Sequence, residues 1–439
     1  MRQSSSPAPA DVAAAGGLSE DEVVRRSAGG AARTALIGLF CRAAGLLTTL
    51  LCTHFLSQGQ LGNANLAMII ALVVGTGTLL SPQQALLTRP VGFEPAAELV
   101  HGFATGSGLL IAALLFVLRG PLCARFGQPE AAPLLGVYCV ALVLERLALI
   151  PMLRLRYELR FLEVSRCELW GDLCYLGVTV STAVAGIGPL CLALGMVGRH
   201  GARVAYLWRL GEPLRLKMPS LPRAEVAGLG RELFARSWPV HLGGFAEYLT
   251  LYLDNLFVGR LFGASGQGVY AVAYTLIMTP TDTIALYGAT ALVRALGVAD
   301  DARRRETYLT GLRYMSLVLF PLGAGVALCA ATLEAAALPT RWHGVAGLTL
   351  GLLGASLSTG LMRLAFAHLT AIHRVRLAGV VEGLRLVFFV LALAAIALWA
   401  PALTRIGYGV SVAFMLSSLV ALGCSLRADG ISLAEGVGA

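Results

Sequence analysis

The chain has 439 residues, of which 57% are hydrophobic and only 13% charged, and it carries a net charge of +9. Soluble domains carry roughly 25% charged residues, so a soluble globular protein or soluble enzyme is excluded, and the deficit is too widespread for a single anchor. The basic residues fall between apolar runs, which reads as membrane topology rather than nucleic-acid affinity.

Residues 1–30 are Ala, Gly, Ser and Pro with scattered charges. They lack the short apolar core of a cleavable signal and read as a disordered cytoplasmic tail. A spanning helix needs about 20 mostly apolar residues. Twelve such runs follow, near 34–57, 64–86, 101–119, 132–151, 165–186, 188–208, 235–260, 267–292, 309–332, 344–371, 377–399 and 406–426. Alternating them from an inner N-terminus places most Lys and Arg inside. Only Arg119, Arg125, Arg260, Arg341 and Arg405 fall outside, which predicts both termini in the cytoplasm.

The basic segment 209–235 separates an N-lobe, 31–208, from a C-lobe, 236–426, leaving a tail at 427–439. Six spans on each side give two halves of like orientation, related by an axis along the membrane normal. Internal similarity supports a duplication. Phe55-Leu56-Ser57, Gly62 and Ala67 align with Leu261-Phe262-Gly263, Gly268 and Ala273 at a constant offset of 206. Arg146-Leu147-Ala148 matches Arg363-Leu364-Ala365, Ile187-Gly188 matches Ile406-Gly407, and Ser81-Pro82 matches Thr279-Pro280. The predicted fold is therefore all-α, with about twelve transmembrane helices in two parallel six-helix lobes around a central cavity.

Gly75-Thr76-Gly77 and Gly106-Ser107-Gly108 lie in apolar helices with no following Lys-Ser/Thr, so they read as helix-packing points and not phosphate loops. No C-x-x-C pair occurs among the nine cysteines. Cys123 reads as exposed and the others as packing residues. His368 and His373 do not share a helix face, and neither a metal nor a cofactor is expected. The short outer loops, the longest near 120–131, argue against a membrane glycan polymerase or ligase, which is the less favoured alternative. Pro239, Pro280 and Pro321 lie inside spans and predict bending in the second half.

Charges within spans are costly and tend to face a bundle interior or cavity. Arg42, Arg146 and Arg363 are the candidate substrate-binding residues, since arginine forks suit phosphate. Glu145, Asp172, Glu247 and Asp254 are candidate coupling or cavity acids. Glu168, Arg199, Arg203, Glu382 and Arg385 approach helix ends and read as side chains reaching to the interface. A cationic interior between parallel halves fits an anionic amphiphile moved by alternating access.

The run from Asp254 to Gly263, DNLFVGRLFG, with Gly268 to Tyr274, GVYAVAY, resembles the most recognisable stretch of Wzx-type oligosaccharide flippases. These form the polysaccharide-synthesis branch of the MOP superfamily, which also holds MATE drug exporters and lipid II flippases. Ile150-Pro151 through Leu155–Phe161 resembles that branch's basic, aromatic inner loop. Gly186-Ile187-Gly188-Pro189-Leu190 resembles its glycine-rich turn. Trp342 stands near its Gly-x-x-Trp element, and Gln60-Leu61-Gly62 replaces its usual acidic-Phe-Gly. The resemblance implies a flippase of the cytoplasmic membrane carrying a polyprenyl-diphosphate oligosaccharide outward, coupled to an ion gradient or membrane potential without ATP. Polysaccharide polymerase and export proteins would be its partners. A MATE-like antiporter is the alternative, requiring a compact acidic pocket.

Overall fold

The computed structural model describes residues 20–78, 86, 93–212, 222–298, 301–372, 374–399 and 402–428. The predicted tails 1–30 and 427–439 and the linker 209–235 fall partly outside the described residues, as do Ser81-Pro82 and His373. Where the chain must cross hydrocarbon, only a helix satisfies every backbone polar group within one segment. Every long described element is accordingly helical. In chain order they are α1 (Glu20–Phe55), α2 (Gln58–Thr78), α3 (Phe93–Arg125), α4 (Ala132–Tyr157), α5 (Phe161–Val184), α6 (Leu190–Arg209), α7 (residues 223–262), α8 (residues 264–298), α9 (Asp301–Ala337), α10 (Val345–Gly351 and Leu353–Ala371), α11 (Val375–Trp399) and α12 (Leu403–Ala428). This is the all-α membrane architecture the sequence predicts.

Two of the twelve, α5 and α6, are too charged to count as spans by hydropathy; the other ten fall in the runs long and apolar enough to cross a bilayer among the described residues. Residues 223–298 run on without a loop, but Gly263 at φ +67°, ψ −170° breaks the helix between α7 and α8. That conformation is open to glycine and closed to other residues. The second break bends α10 by 46° at Leu352. Pro280 and Pro321, by contrast, sit inside continuous helix. The sharp breaks therefore fall elsewhere than the prolines predict.

Helix ends are specified locally. Ser57 and Gln60 form a capping box at the start of α2: the Gln60 amide donates to Ser57 Oγ (3.2 Å) and the Ser57 amide to Gln60 Oε1 (2.9 Å). Gln at this third position does what an acid does in a capping box. At α10, the Gly344 amide donates to Glu334 Oε1 (3.2 Å) and Ala346 to Glu334 Oε2 (2.5 Å), an anion at a helix N-terminus.

By contacts the described chain forms two compact units. The first comprises the stretches up to Gly45, Ala67–Ala124 and Pro129–Phe245; the second comprises Leu46–Leu66, Arg125–Gln128 and the chain from Ala246 onward. Polar ties explain why short early segments belong to the second unit. Trp342 Nε1 donates to the Thr53 carbonyl (2.9 Å), and Arg341 Nη2 donates to the carbonyls of Thr53 (2.9 Å) and His54 (2.7 Å). Gln128 Nε2 donates to Gln267 Oε1 (2.7 Å) with both residues buried.

The repeat appears as a reciprocal contact in this unit. A Cβ on Gly62 would strike the Ala264 carbonyl, and one on Gly268 would strike the Gln58 carbonyl. Residues 58 and 264, like 62 and 268, are separated by the offset of 206 found in the sequence. Each helix start thus packs its glycine on the other's backbone, as a two-fold relation between like-oriented α2 and α8 requires.

Cysteine placement differs in part. Cys123 is buried, because α3 continues past Pro121 to Arg125, whereas Cys329 is exposed.

Candidate functional site

In the first unit the apolar run of α4 carries Arg146 with 5% exposure. Its Nη2 donates to the Gly75 carbonyl of α2 (2.6 Å). Glycine at two neighbouring positions makes room for the side chain: a Cβ on Gly108 would meet Arg146 Cγ, and one on Gly75 would meet Leu142 and approach Arg146. Gly75, Gly77 and Gly108 are thus packing points, but a Cβ at Gly106 would face open space. Glu145 is half-buried, and Arg42 is exposed on α1.

The charges of α5 and α6 answer one another. Asp172 lies 2.5 Å from Arg199 Nη2 and 3.8 Å from Arg203 Nη2. The two arginines are four residues apart and so share the face that α6 turns to α5. They are paired, and do not reach out to the interface as their position near the helix end suggests. In the loops that flank these two helices, Arg160 Nη1 bridges Glu158 (3.1 Å) and Glu212 (2.9 Å). The hydrogen bond to Glu158 leads in raising the Arg160 pKa, while burial leads in raising that of Glu212.

In the second unit Asp254 is fully buried. Tyr270 donates to its Oδ2 (2.6 Å) and the Asn255 amide to its Oδ1 (2.7 Å), while Asn65 Nδ2 donates to Asn255 Oδ1 (3.0 Å). The carboxylate thereby ties α7 to α8, and Asn255 carries the tie to α2. The side chain of Glu247 lies outside the described residues.

Arg363 on α10 is held by Asp282 of α8, whose Oδ1 accepts from Nε (2.8 Å) and Nη2 (2.7 Å). On α11, Glu382 and Arg385 are 5% and 4% exposed. Arg385 Nη1 donates to Glu382 Oε1 (3.1 Å), and the guanidinium carbon lies 4.4 Å from the Phe414 ring centroid. Placement near a helix end suggests that this pair reaches to the interface; the structure buries it instead, because its face of α11 turns to α12. Both arginines line a cavity of about 260 Å³ among α7, α8, α10 and α11, otherwise mostly aliphatic with Thr290, Thr359 and Thr370. Arg363 lies eight residues before the end of α10 and Arg385 eight residues into the apolar run of α11. At 1.5 Å rise per residue Arg363 is about 12 Å and Arg385 about 15 Å from its helix end, depths that fall inside hydrocarbon about 30 Å thick.

Sequence reasoning thus reached Arg363 and Asp254 but missed Arg385 and Gln128. The i, i+3 spacing of Glu382 and Arg385 was the available signal, since residues so spaced share a helix face. No group of three or more His, Cys, Asp or Glu residues suited to a metal occurs among the described residues.

Residues 96–347, more than half of the chain, match the family model described as polysaccharide biosynthesis protein. No curated protein sequence matches the chain. Among solved structures the chain is similar to the lipid II flippase MurJ in an inward closed conformation, with TM-score 0.70 and 11% identity, over 92% of this chain and 89% of that one. It is also similar to an inward-facing multidrug resistance MATE family transporter of the MOP superfamily, with TM-score 0.67 and 13% identity, over 90% and 98%. A third is a MOP superfamily transporter from Pyrococcus furiosus, for which a reversed polarity of the binding pocket suggests a different function (TM-score 0.60, 12% identity, 91% and 95%). At such identities the likeness is one of fold. The chain therefore belongs to the polysaccharide biosynthesis protein family, on the helical fold of the MOP superfamily.

Proposed function

We propose that the protein is a flippase that moves a polyprenyl-diphosphate-linked oligosaccharide from the inner to the outer leaflet of the cytoplasmic membrane, without catalysing a covalent step. The observation that carries this reading is Arg363, an intramembrane guanidinium on a largely aliphatic cavity, in a chain of the polysaccharide biosynthesis family. Arginine in hydrocarbon suits the diphosphate, and the aliphatic walls suit the lipid. Arg42 and Arg146 are the first-half residues assigned to the same substrate, and Glu145, Asp172, Glu247 and Asp254 are the acids assigned to coupling. Both termini are cytoplasmic by the distribution of basic residues. The acids fit a cation antiporter poorly. Asp172, Asp282 and Glu382 each hold an arginine, and Asp254 holds Tyr270 and Asn255.

Deletion of the gene is expected to accumulate lipid-linked oligosaccharide on the cytoplasmic face, accessible to a sugar-oxidising reagent only after the membrane is opened. Unchanged outward delivery in the deletion strain would sink the reading.

A further inference from the structure

The break in α10 is filled by a side chain of another helix. In a continuous α-helix the Gly351 carbonyl accepts from the Ala355 amide, four residues on. Here Ser411 of α12 stands between them: its Oγ accepts from the Ala355 amide (2.9 Å) and donates to the Gly351 carbonyl (2.6 Å). A side chain inserted into the helix ladder is one of the few causes of a sharp kink, and α10 bends by 46° at this point. Glycine lets the serine in, since a Cβ on Gly354 would lie 2.9 Å from Ser411 Cβ. The two pieces of α10 are anchored differently. On the longer piece, Ser356 Oγ meets Thr281 Oγ1 of α8 (2.5 Å) and donates to the Ile277 carbonyl (3.3 Å). The shorter piece, Val345–Gly351, follows the turn whose Arg341 and Trp342 donate to the carbonyls at the end of α1. All of these contacts lie within the second unit.

We propose that Leu352 is a hinge with two states and that Ser411 is the wedge that sets them. With the wedge in, α10 is bent and Trp342 clasps α1. With the wedge out, the Gly351 carbonyl accepts directly from the Ala355 amide, and the short piece straightens and draws Trp342 off Thr53. Bond counting keeps the two states close in free energy. Withdrawal breaks both bonds of Ser411 and restores one helix bond, and the freed hydroxyl can bond the Gly407 carbonyl, four residues back on its own helix. Arg341 and His343, beside the clasp, are exposed, so water replaces the clasp bonds that are lost. The longer piece is the fixed one, because α8 holds it next to the break. At 1.5 Å per residue Val345 is about 10 Å from Leu352, so straightening by 46° moves it roughly 8 Å, farther than a hydrogen bond reaches. The hinge rests on the geometry alone, whereas naming the clasp an outer gate of transport rests on the flippase reading.

The test is double electron–electron resonance on the full-length protein in phosphatidylcholine nanodiscs. Spin labels are carried by p-acetylphenylalanine in place of His54 and His343, two exposed residues beside the clasp, a chemistry that spares the native cysteines. The otherwise unaltered chain is expected to give mainly a short distance. Ser411→Ala leaves the bent state with two unpaired backbone groups in hydrocarbon, where neither finds water, and is expected to lengthen the distance by roughly 8 Å, the swing of the hinge. Ala355→Pro added to Ser411→Ala removes the amide that the straight state needs and is expected to bring the short distance back. A proline on α10 would not rescue a serine whose only role was packing on α12. If Ser411→Ala is not recovered as monodisperse protein, Gly354→Ala, whose methyl group pushes Ser411 out but keeps its hydroxyl, takes its place with the same expected lengthening. An unchanged distance, or a lengthening that the proline leaves in place, overturns the proposal. If the distances respond as expected while the deletion strain delivers normally, the hinge stands and the flippase reading falls. Unchanged distances beside a deletion strain that accumulates substrate have the opposite meaning.

Discussion

The two halves of this chain keep the same backbone contacts but use their matched arginines differently. Where α2 and α8 begin, the halves remain equivalent: Gly62 and Gly268 each meet the other helix's main chain at positions related by the same offset. Deeper in, the fourth helix of each half sends an arginine to the second. Arg146 reaches the Gly75 carbonyl and Arg363 reaches the Asp282 carboxylate. The pairing of helices is thus shared, while the acceptor has changed from a backbone dipole to a full charge. Backbone contacts tolerate no side chain and stay fixed, whereas a guanidinium accepts either partner and leaves room for function to diverge.

The largest expected effect tests the shared part. Gly62→Leu and Gly268→Leu should each abolish recovery of monodisperse protein from detergent, since the obstructing atoms are main chain and cannot move aside as a side chain does. Equal loss in both supports equivalence; survival of either variant breaks it.

A smaller effect should separate the diverged part. Arg363→Ala removes the guanidinium that Asp282 holds, and breaking such a buried pair costs about 3–5 kcal/mol; the partial exposure of both groups, 24% and 19%, puts the expected loss at the lower end. Adding Asp282→Ala should then restore thermal stability. Arg146→Ala removes a hydrogen bond to a neutral carbonyl, for which about 1.5–3 kcal/mol is usual when one partner is charged, and no second change at Gly75 can rescue it. Melting temperatures of the three variants decide the matter. A failure of Asp282→Ala to rescue would mean that the ion pair is not what distinguishes the halves.

The smallest effect lies at the loops that flank α5 and α6 of the first half. Burial raises the Glu212 pKa above the ordinary carboxylate value, so the folded state holds this proton more tightly than the unfolded chain does. Its contribution to stability is then present below the ordinary carboxylate pKa and declines as pH rises through the raised value. Relative to Glu212→Gln, the wild-type melting temperature should fall as pH goes from about 4 to 7. A rise across that window would mean that the Arg160 bridge outweighs burial.

Much of this was legible from residue order. Apolar run length gave the helices, because hydrocarbon leaves the backbone no other partner, and the spacing of Gly62 and Gly268 showed the duplication. Charge placement marked Arg146 and Arg363 alike, since it reports depth and not what a side chain touches. The partner of Arg363 is 81 residues away, and nothing local to either residue announces it. Arg385 was hidden for a related reason. Eight residues into an apolar run, an arginine facing lipid bends back to the interface, and one facing the bundle stays buried. The run itself does not say which face is which.

The sequence by itself determined a multi-pass helical membrane protein of two like halves, because composition and periodicity answer to the solvent around the chain. Only the tertiary structure decided which charges cancel and which clamp helices. Those roles depend on distances between helices far apart in the chain, and a guanidinium becomes a clamp or a binding group only through the acceptor that packing brings to it.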